Sequence, residues 1–508
     1  MNMFRKVVSL RTGVFACFVI CAVVFGVNLT VLAKTVTIAQ GVDATTLDPH
    51  MSHDTPTSVV TGNIFDSLLR RSPTMELEPA LAASYRQVND LTWEFIMQDE
   101  ITFHNGEIFD AHTAKYSLER LMDPALMSPQ ASQLRNIESI EVPDSKTLRV
   151  KSKTPSPLIP IQVGNVAMLP PLYAEEVGPA AFAQAPVGTG PYRLKEWIKD
   201  EKIILQANGD YYRGTPAVQE VVFRPIPETA SRIAELRTGA VDLIANVPPH
   251  QAASIDALPD LKVRTAPSSR IIFIVLTTTD GGPLADKRVR QALNYAVDKE
   301  AIVRALLGGY GYVLASPLPN NAFGFDPTLQ SYPYEPEKAK QLLKEAGFQE
   351  GFDLIFEAPQ GRYLMDKEVA QAVNGYLQDI GIKTQFNVLE WGVFVSKLYQ
   401  HDGAPMMLLG LGSTTFDADP YLFTQLRSGE ISSYYYNPDI DELLDAARSE
   451  MDPKQREALY VQVQELAADE AALIPLYQQV DLFGVHNRVI WEPRSDEMIL
   501  VYDMDVAP

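Results

Sequence analysis

Met406 to Phe423 reads MMLLGLGSTTFDADPYLF. Met406, Met407, Leu408 and Leu409 carry no charge and show no alternation, the pattern of a strand covered on both faces, and Gly410, Leu411 and Gly412 end it. The chain then turns polar at once. Ser413, Thr414 and Thr415 offer three hydroxyls, Phe416 a flat apolar face, and Asp417 and Asp419 two carboxylates. In α/β sheets ligands sit at the carboxyl ends of strands, because the loops there vary while the strands hold them in place. Asp419-Pro420 reads as a turn, whereas Asp417 and the hydroxyls are candidates for ligand contact.

Working outward, Phe352 to Ala358 is a further strand. Val369, Val373, Leu377 and Ile380 make one helical stripe that Gly381 ends, and Ile382, Thr384, Phe386 and Val388 alternate as the next strand. A helix over roughly residues 393–399 returns the chain to Met406. Parallel crossovers of one hand bring the loops after Ala358, Leu389 and Leu409 to the same sheet edge. Those loops carry Arg362, Trp391 and Ser413 to Asp417. A guanidinium fork takes a carboxylate through two parallel hydrogen bonds, an indole supplies a flat wall, and Asp417 suits an ammonium, so the set fits a small zwitterion. Each also has a plainer role: Arg362 as a surface arginine at a helix start, Trp391 as a core residue.

At 508 residues the chain exceeds what one hydrophobic core serves, so two or more lobes are expected. Residues 1–33 stand apart. Arg5, Lys6 and Arg11 precede an apolar run from Gly13 to Val27, and Val31-Leu32-Ala33 suits a signal peptidase, so this is read as a cleaved export signal and the mature chain as periplasmic. Both cysteines, Cys17 and Cys21, lie inside it. The mature chain then has none, which excludes disulfides, thiolate metal sites and a cysteine nucleophile together. Losing those three cations from 43 basic residues, against 64 acidic ones, leaves a net charge of −24. That balance excludes nucleic acid as a partner and favours a monomer kept soluble by self-repulsion.

From Thr35 the mature chain opens with the strand Val36 to Ala39 and a polar loop in which His50 and His53 have the spacing of a metal pair, without a third ligand in sequence. Thr55 is the expected cap of the helix that follows, and Asp110 of the next. Arg288 to Leu307 and Asn437 to Ala472 read as helical, and Tyr434, Tyr435 and Tyr436 as a stretch that lines the cleft or, as a strand, turns at least one ring into the core.

Residues 77–120, LEPALAASYRQVNDLTWEFIMQDEITFHNGEIFDAHTAKYSLER, resemble the signature region of the family 5 substrate-binding proteins, the peptide- and nickel-type receptors of ABC importers. The resemblance continues at Pro186 to Tyr192, Asp286 to Asp298, Lys338 to Gly347 and Ile474 to Tyr477, in the family's order. It implies an α/β fold: a two-lobed, periplasmic-binding-protein-like clamp of type II, with an extra subdomain in the N-terminal lobe. Lobe I would comprise residues 34–272 plus 482–508, with the inserted subdomain at about 70–215, and lobe II residues 273–481. The hinge would lie near 270–275 and 478–483. It also implies a small-molecule solute, an inner-membrane ABC permease as partner, no cofactor and no enzymatic activity.

In the dipeptide-binding branch an arginine in the string matching Pro359-Gln360-Gly361-Arg362-Tyr363 takes the ligand carboxylate, and Glu390-Trp391-Gly392 is also a family string. Peptide binders usually end the strand with tryptophan and follow it with an aspartate for the amino group; here Leu411 replaces the tryptophan and Phe416 stands near the aspartate's place. The hydroxyl run before Asp-Ala-Asp is more similar to the glutathione-binding branch. The expected solute is therefore peptide-like, glutathione-like or opine-like, and the candidate ligand-binding residues are Arg362, Asp417, Trp391, Ser413, Thr414, Thr415, Phe416 and Tyr434. Two other functions compete. One is a metal or metallophore receptor using His50, His53 and His401; the other is a secreted hydrolase using Asp417 and Asp419, although the chain has no His-Glu-x-x-His or Gly-x-Ser-x-Gly string.

Overall fold

A computed structural model describes residues 34–507 except His53 and Ile431. The expected export signal and its two cysteines lie outside the described residues. The strand Met406–Leu411 pairs antiparallel with Leu261–Leu276, with Leu408 opposite Ile274, and parallel with Asp353–Gln360, with Met406 opposite Phe356. Asp353–Gln360 in turn pairs parallel with Lys383–Glu390 along its length. Three parallel strands therefore end on one edge, as their periodicity predicts.

Both faces of this sheet are covered, which is why Met406 to Leu409 has no polar position. Met406 and Leu408 pack with Phe356, Ala358, Val369 and Val373 on one side. Met407 and Leu409 pack with Phe394, Leu398, Tyr421 and Tyr460 on the other. The helices Asp366–Asp379 and Trp391–Tyr399 supply the crossovers.

Among the described residues the sheet has eleven strands. Its middle is the antiparallel pair Leu261–Leu276 and Leu473–His486, two long strands that join separate cores. Leu482 packs with Ile233 and Leu236, and Phe483 and Val485 with Val36 and Ile38, on the N-terminal side. Ile274, Ile474 and Leu476 pack in the C-terminal core. The pairing breaks register between Pro267 and Ile271, opposite Val480 and Gln478, so the backbone bends where the chain passes from one core to the other. A separate four-stranded sheet, from Ala82–Asn89 to Thr147–Ser152, carries the helix Ala111–Met122 over a core of its own. The strands Tyr192–Ile198 and Lys202–Ala207 extend the main sheet instead.

Several boundaries move, each for a local reason. Asp54, not Thr55, caps the helix Thr55–Thr61, because its carboxylate reaches the Thr57 N–H at 2.9 Å. The expected helix Arg288 to Leu307 stops at Ala296, and Asp298 caps a new turn through the Ala301 N–H. Asn437 to Ala472 divides into Pro438–Ser449 and Pro453–Asp469, because Pro453 ends one run and Asp452 caps the next. Asp110 caps Ala111–Met122 as expected.

Candidate functional site

Arg362 follows Asp353–Gln360 at the shared edge. Its position is set by Asp366, a buried carboxylate that accepts the backbone N–H groups of Gly361 (3.2 Å), Arg362 (2.8 Å), Tyr363 (3.0 Å) and Lys367 (2.8 Å). Tyr363 is locked by donating its hydroxyl to the Gly410 carbonyl at 3.0 Å. Gly410 has to be glycine, since a Cβ there would lie 2.7 Å from the Tyr363 ring. The Arg362 guanidinium then lies 5.2 Å from the Tyr363 ring centroid and 5.3 Å from that of Trp391. Among the described residues no carboxylate lies within ion-pair distance of it. Burial and the neighbouring Arg270 both lower its pKa, and a guanidinium stays protonated regardless.

Trp391 takes the core role and lies beside Arg362. Its ring meets Tyr363 edge-on at 6.0 Å beside Arg362, and stacks on Phe394, a core residue, also at 6.0 Å. The loop Ser413 to Phe416 is pinned from two sides. The Ser413 N–H donates to the Tyr421 hydroxyl at 3.0 Å, and that hydroxyl donates to the Ser269 carbonyl at 2.6 Å. Ser413 and Thr415 share a hydroxyl hydrogen bond of 2.9 Å. From the N-terminal part of the chain, Arg71 donates to the carbonyls of Thr414 (3.2 Å) and Thr415 and lies 5.5 Å from the Phe416 ring. Arg71 thus fastens the loop to the N-terminal part of the chain through backbone carbonyls.

Asp417 does not point at a ligand. Arg456, on the helix Pro453–Asp469, grips it with two hydrogen bonds of 2.8 and 2.5 Å, and Asp417 also caps Ala418–Leu426 through the Asp419 N–H. Burial raises the Asp417 pKa and Arg456 opposes that rise, the balance being upward. Asp419 is held in the same way by Arg448, at 2.6 and 2.9 Å. The Asp-Ala-Asp run therefore fastens the loop to two helices, and neither carboxylate is free to accept an ammonium or to act as acid or base.

Tyr434 is likewise a core residue. It lies at the other end of the strand: its carbonyl accepts from the Thr278 N–H and its hydroxyl donates to the Leu398 carbonyl at 2.7 Å. With 4% exposure among Leu398, Met407 and Phe394 it cannot line the cleft. His50 is spent in the fold too. One ring nitrogen meets the Ala167 carbonyl at 2.9 Å, the other the Arg120 guanidinium at 3.0 Å, and burial lowers its pKa to about 4. A cation beside Arg120 would be repelled. His53 lies outside the described residues, and His401 packs against Tyr434 at 5.0 Å.

One cluster gave no signal in the sequence. Arg270, at the register break, donates to Glu497 at 2.8 Å, and Glu497 also accepts from the hydroxyls of Ser268 (2.9 Å) and Thr55 (3.3 Å). Burial pushes the Glu497 carboxyl up, but Arg270 and Arg362 more than offset it, so it sits below its ordinary value. Asp481, on the opposing long strand, accepts from Gln479 at 2.6 Å, while its second oxygen is buried without a donor among the described residues. Burial, with Glu497 adding to it, pushes this carboxyl up to about 7. The cluster is assembled from residues 55, 268, 270, 481 and 497, which only the packing of the two cores brings together.

The family model for bacterial extracellular solute-binding proteins, family 5, matches residues 76–433. The glutathione-binding protein GsiB of Shigella boydii is 29% identical over 90% of this chain and 91% of its own length. Among solved structures, the periplasmic binding protein DppA of Helicobacter pylori, in complex with the peptide STSA, superposes with a TM-score of 0.83 at 27% identity, covering 93% of this chain and 98% of that one. AgaA of A. tumefaciens R10, in complex with agropinic acid, gives 0.81 at 25% identity, covering 93% and 99%. The fold is the two-lobed clamp of these proteins, and the chain belongs to family 5 of the bacterial extracellular solute-binding proteins, as the substrate-capturing component of an ABC importer.

Proposed function

We propose that the chain captures a small peptide-like or amino-acid-conjugate solute between its lobes, with the solute's carboxylate on Arg362, and delivers it from the periplasm to an inner-membrane permease without chemical change. The observation that carries this reading is a guanidinium held at a strand end, walled by Tyr363 and Trp391, with no carboxylate of the described residues in direct contact with it, Glu497 and Asp54 acting on it only from farther off. A partly buried cation of this kind gains most from an anion that brings two acceptor oxygens. The relatives named for glutathione, a peptide and agropinic acid share carboxylate-bearing ligands of that size. Ser413, Thr414 and Thr415 border the same edge and offer hydroxyls to the amide or polyol part of such a solute.

A ligand closes a clamp only by what it gains in the closed form over the open one. With Arg71 in lobe I and the loop in lobe II, the Arg71 bonds to Thr414 and Thr415 would break on opening and so add to the closed side of that balance. The test is isothermal titration calorimetry of the mature protein with glutathione, an oligopeptide and an opine, alongside Arg362→Ala. At least one should bind, and the variant should lose about 30-fold or more in affinity, the worth of a charge-assisted pair of hydrogen bonds. Equal affinity in the variant would remove Arg362 from the site.

A further inference from the structure

Resting on that peptide-like reading, we propose that Asp54 receives the solute's ammonium group, so that a zwitterionic solute spans the crevice from Asp54 in the N-terminal part of the chain to Arg362 in the C-terminal part. The two residues belong to different cores. Asp54 precedes the helix Thr55–Thr61, whose Val59 and Val60 pack with Val36 and Ile38. Arg362 follows the strand Asp353–Gln360, whose Phe356 packs with Met406 and Leu408. The cluster at the register break joins them. The Thr55 hydroxyl donates to Glu497 at 3.3 Å and accepts a long hydrogen bond of 3.5 Å from Arg270, and the Arg270 guanidinium lies 5.7 Å from the Tyr363 ring that walls Arg362.

Two carboxylates, Glu497 and Asp54, act on the Arg362 charge without touching it. Glu497 is spent on Arg270 at 2.8 Å. Among the described residues the donors to Asp54 are all neutral: the Thr57 N–H at 2.9 Å and the hydroxyls of Ser52 at 2.6 Å and Thr45 at 3.2 Å. They fix the carboxylate in place without cancelling its charge, and the residue is half-buried rather than sealed, so a solute can reach it. The acids of the facing loop are not available, since Arg456 holds Asp417 and Arg448 holds Asp419. An anion and a cation that each lack a protein counter-charge, carried by opposite sides of one crevice, match a solute with one charge of each sign. Closure takes both groups out of water, and the ammonium compensates Asp54 only in that closed form, so it favours closing as well as binding.

Calorimetry with matched pairs of solutes tests this. The probes are alanylalanine and propionylalanine, and glutathione and its desamino form, titrated into wild type, Asp54→Asn and Arg362→Ala. Asparagine keeps a side-chain oxygen for the Thr57 N–H, and Asp54→Ser is a second neutral residue suited to that position. Removing the amine should weaken wild-type binding by about tenfold or more, and binding to either Asp54 variant by less than about threefold, the coupling that a direct contact produces. Equal losses in wild type and variants, or no loss in wild type, overturn the inference. The peptide-like reading then stands as long as Arg362→Ala still loses affinity. No binding by any probe overturns the peptide-like reading, and this inference falls with it.

Discussion

Asp417 and Arg456 form a two-pronged ion pair with both side chains buried, and Arg456 also donates to the Tyr460 hydroxyl at 2.9 Å. The pair ties the end of Met406–Leu411 to the helix Pro453–Asp469, so the carboxylate that looked most like a ligand group belongs to the scaffold.

Removing one partner leaves the other charge buried and alone. Asp417→Ala should cost about 3–5 kcal/mol in guanidinium-induced unfolding, and Arg456→Met about as much. The double variant should recover much of that loss, since the uncompensated charge is gone. Additive losses would mean that the two residues act independently.

Arg362→Ala should separate binding from folding. With no ion pair to lose and Arg270 beside it, the change should alter unfolding free energy by less than about 1 kcal/mol while solute affinity falls by about 30-fold or more. Arg362→Lys should keep the charge but lose the fork, giving intermediate affinity. A large stability loss in the alanine variant would make the residue structural.

Asp366 holds the turn that carries Arg362. In Asp366→Ala three N–H groups of the turn, on Gly361, Arg362 and Tyr363, lose their acceptor. A stability loss of about 2–4 kcal/mol and a weaker solute Kd are expected together, whereas Asp366→Asn, which keeps an acceptor oxygen, should lose less of both. Calorimetry and denaturation on the same samples check this.

Asp481 predicts a pH dependence of stability. Its folded value of about 7 lies above the unfolded value near 3.8, so the folded state binds the extra proton. Stability from this group is fully present below about pH 4 and falls as pH rises towards 7. His50 acts with the opposite slope, since its folded value of about 4 lies below the ordinary 6.5 and stability falls as pH drops through that window. The difference between wild type and Asp481→Asn isolates the first effect. The variant should gain stability relative to wild type on going from pH 5 to pH 8, by on the order of 1 kcal/mol or more. A pH-independent difference would mean that Asp481 is ionised throughout.

Gly410→Ala should disturb the site through packing alone. The added methyl meets the Tyr363 ring, which must shift and carry Arg362 with it. A loss of about 1–3 kcal/mol in stability with weaker solute binding is expected, and Gly410→Ala with Tyr363→Leu should regain stability but not affinity. Thermal unfolding and calorimetry of both variants check this.

The sequence by itself determined the three parallel strands, their common edge and the arrival of Arg362, Trp391 and Ser413 to Thr415 on it. Period-2 and period-3.6 apolar patterns are local, and a strand buried on both faces announces itself by having no polar position. Which charges stay free was decided by the tertiary structure alone. Asp417 meets Arg456 across 39 residues and Arg270 meets Glu497 across 227, while Tyr434 turned inward because the chain delivers it to the far end of the strand. A charged side chain carries no mark of its partner in sequence, because the pairing is chosen by which surfaces the cores press together and by the cost of burying any charge left unmatched.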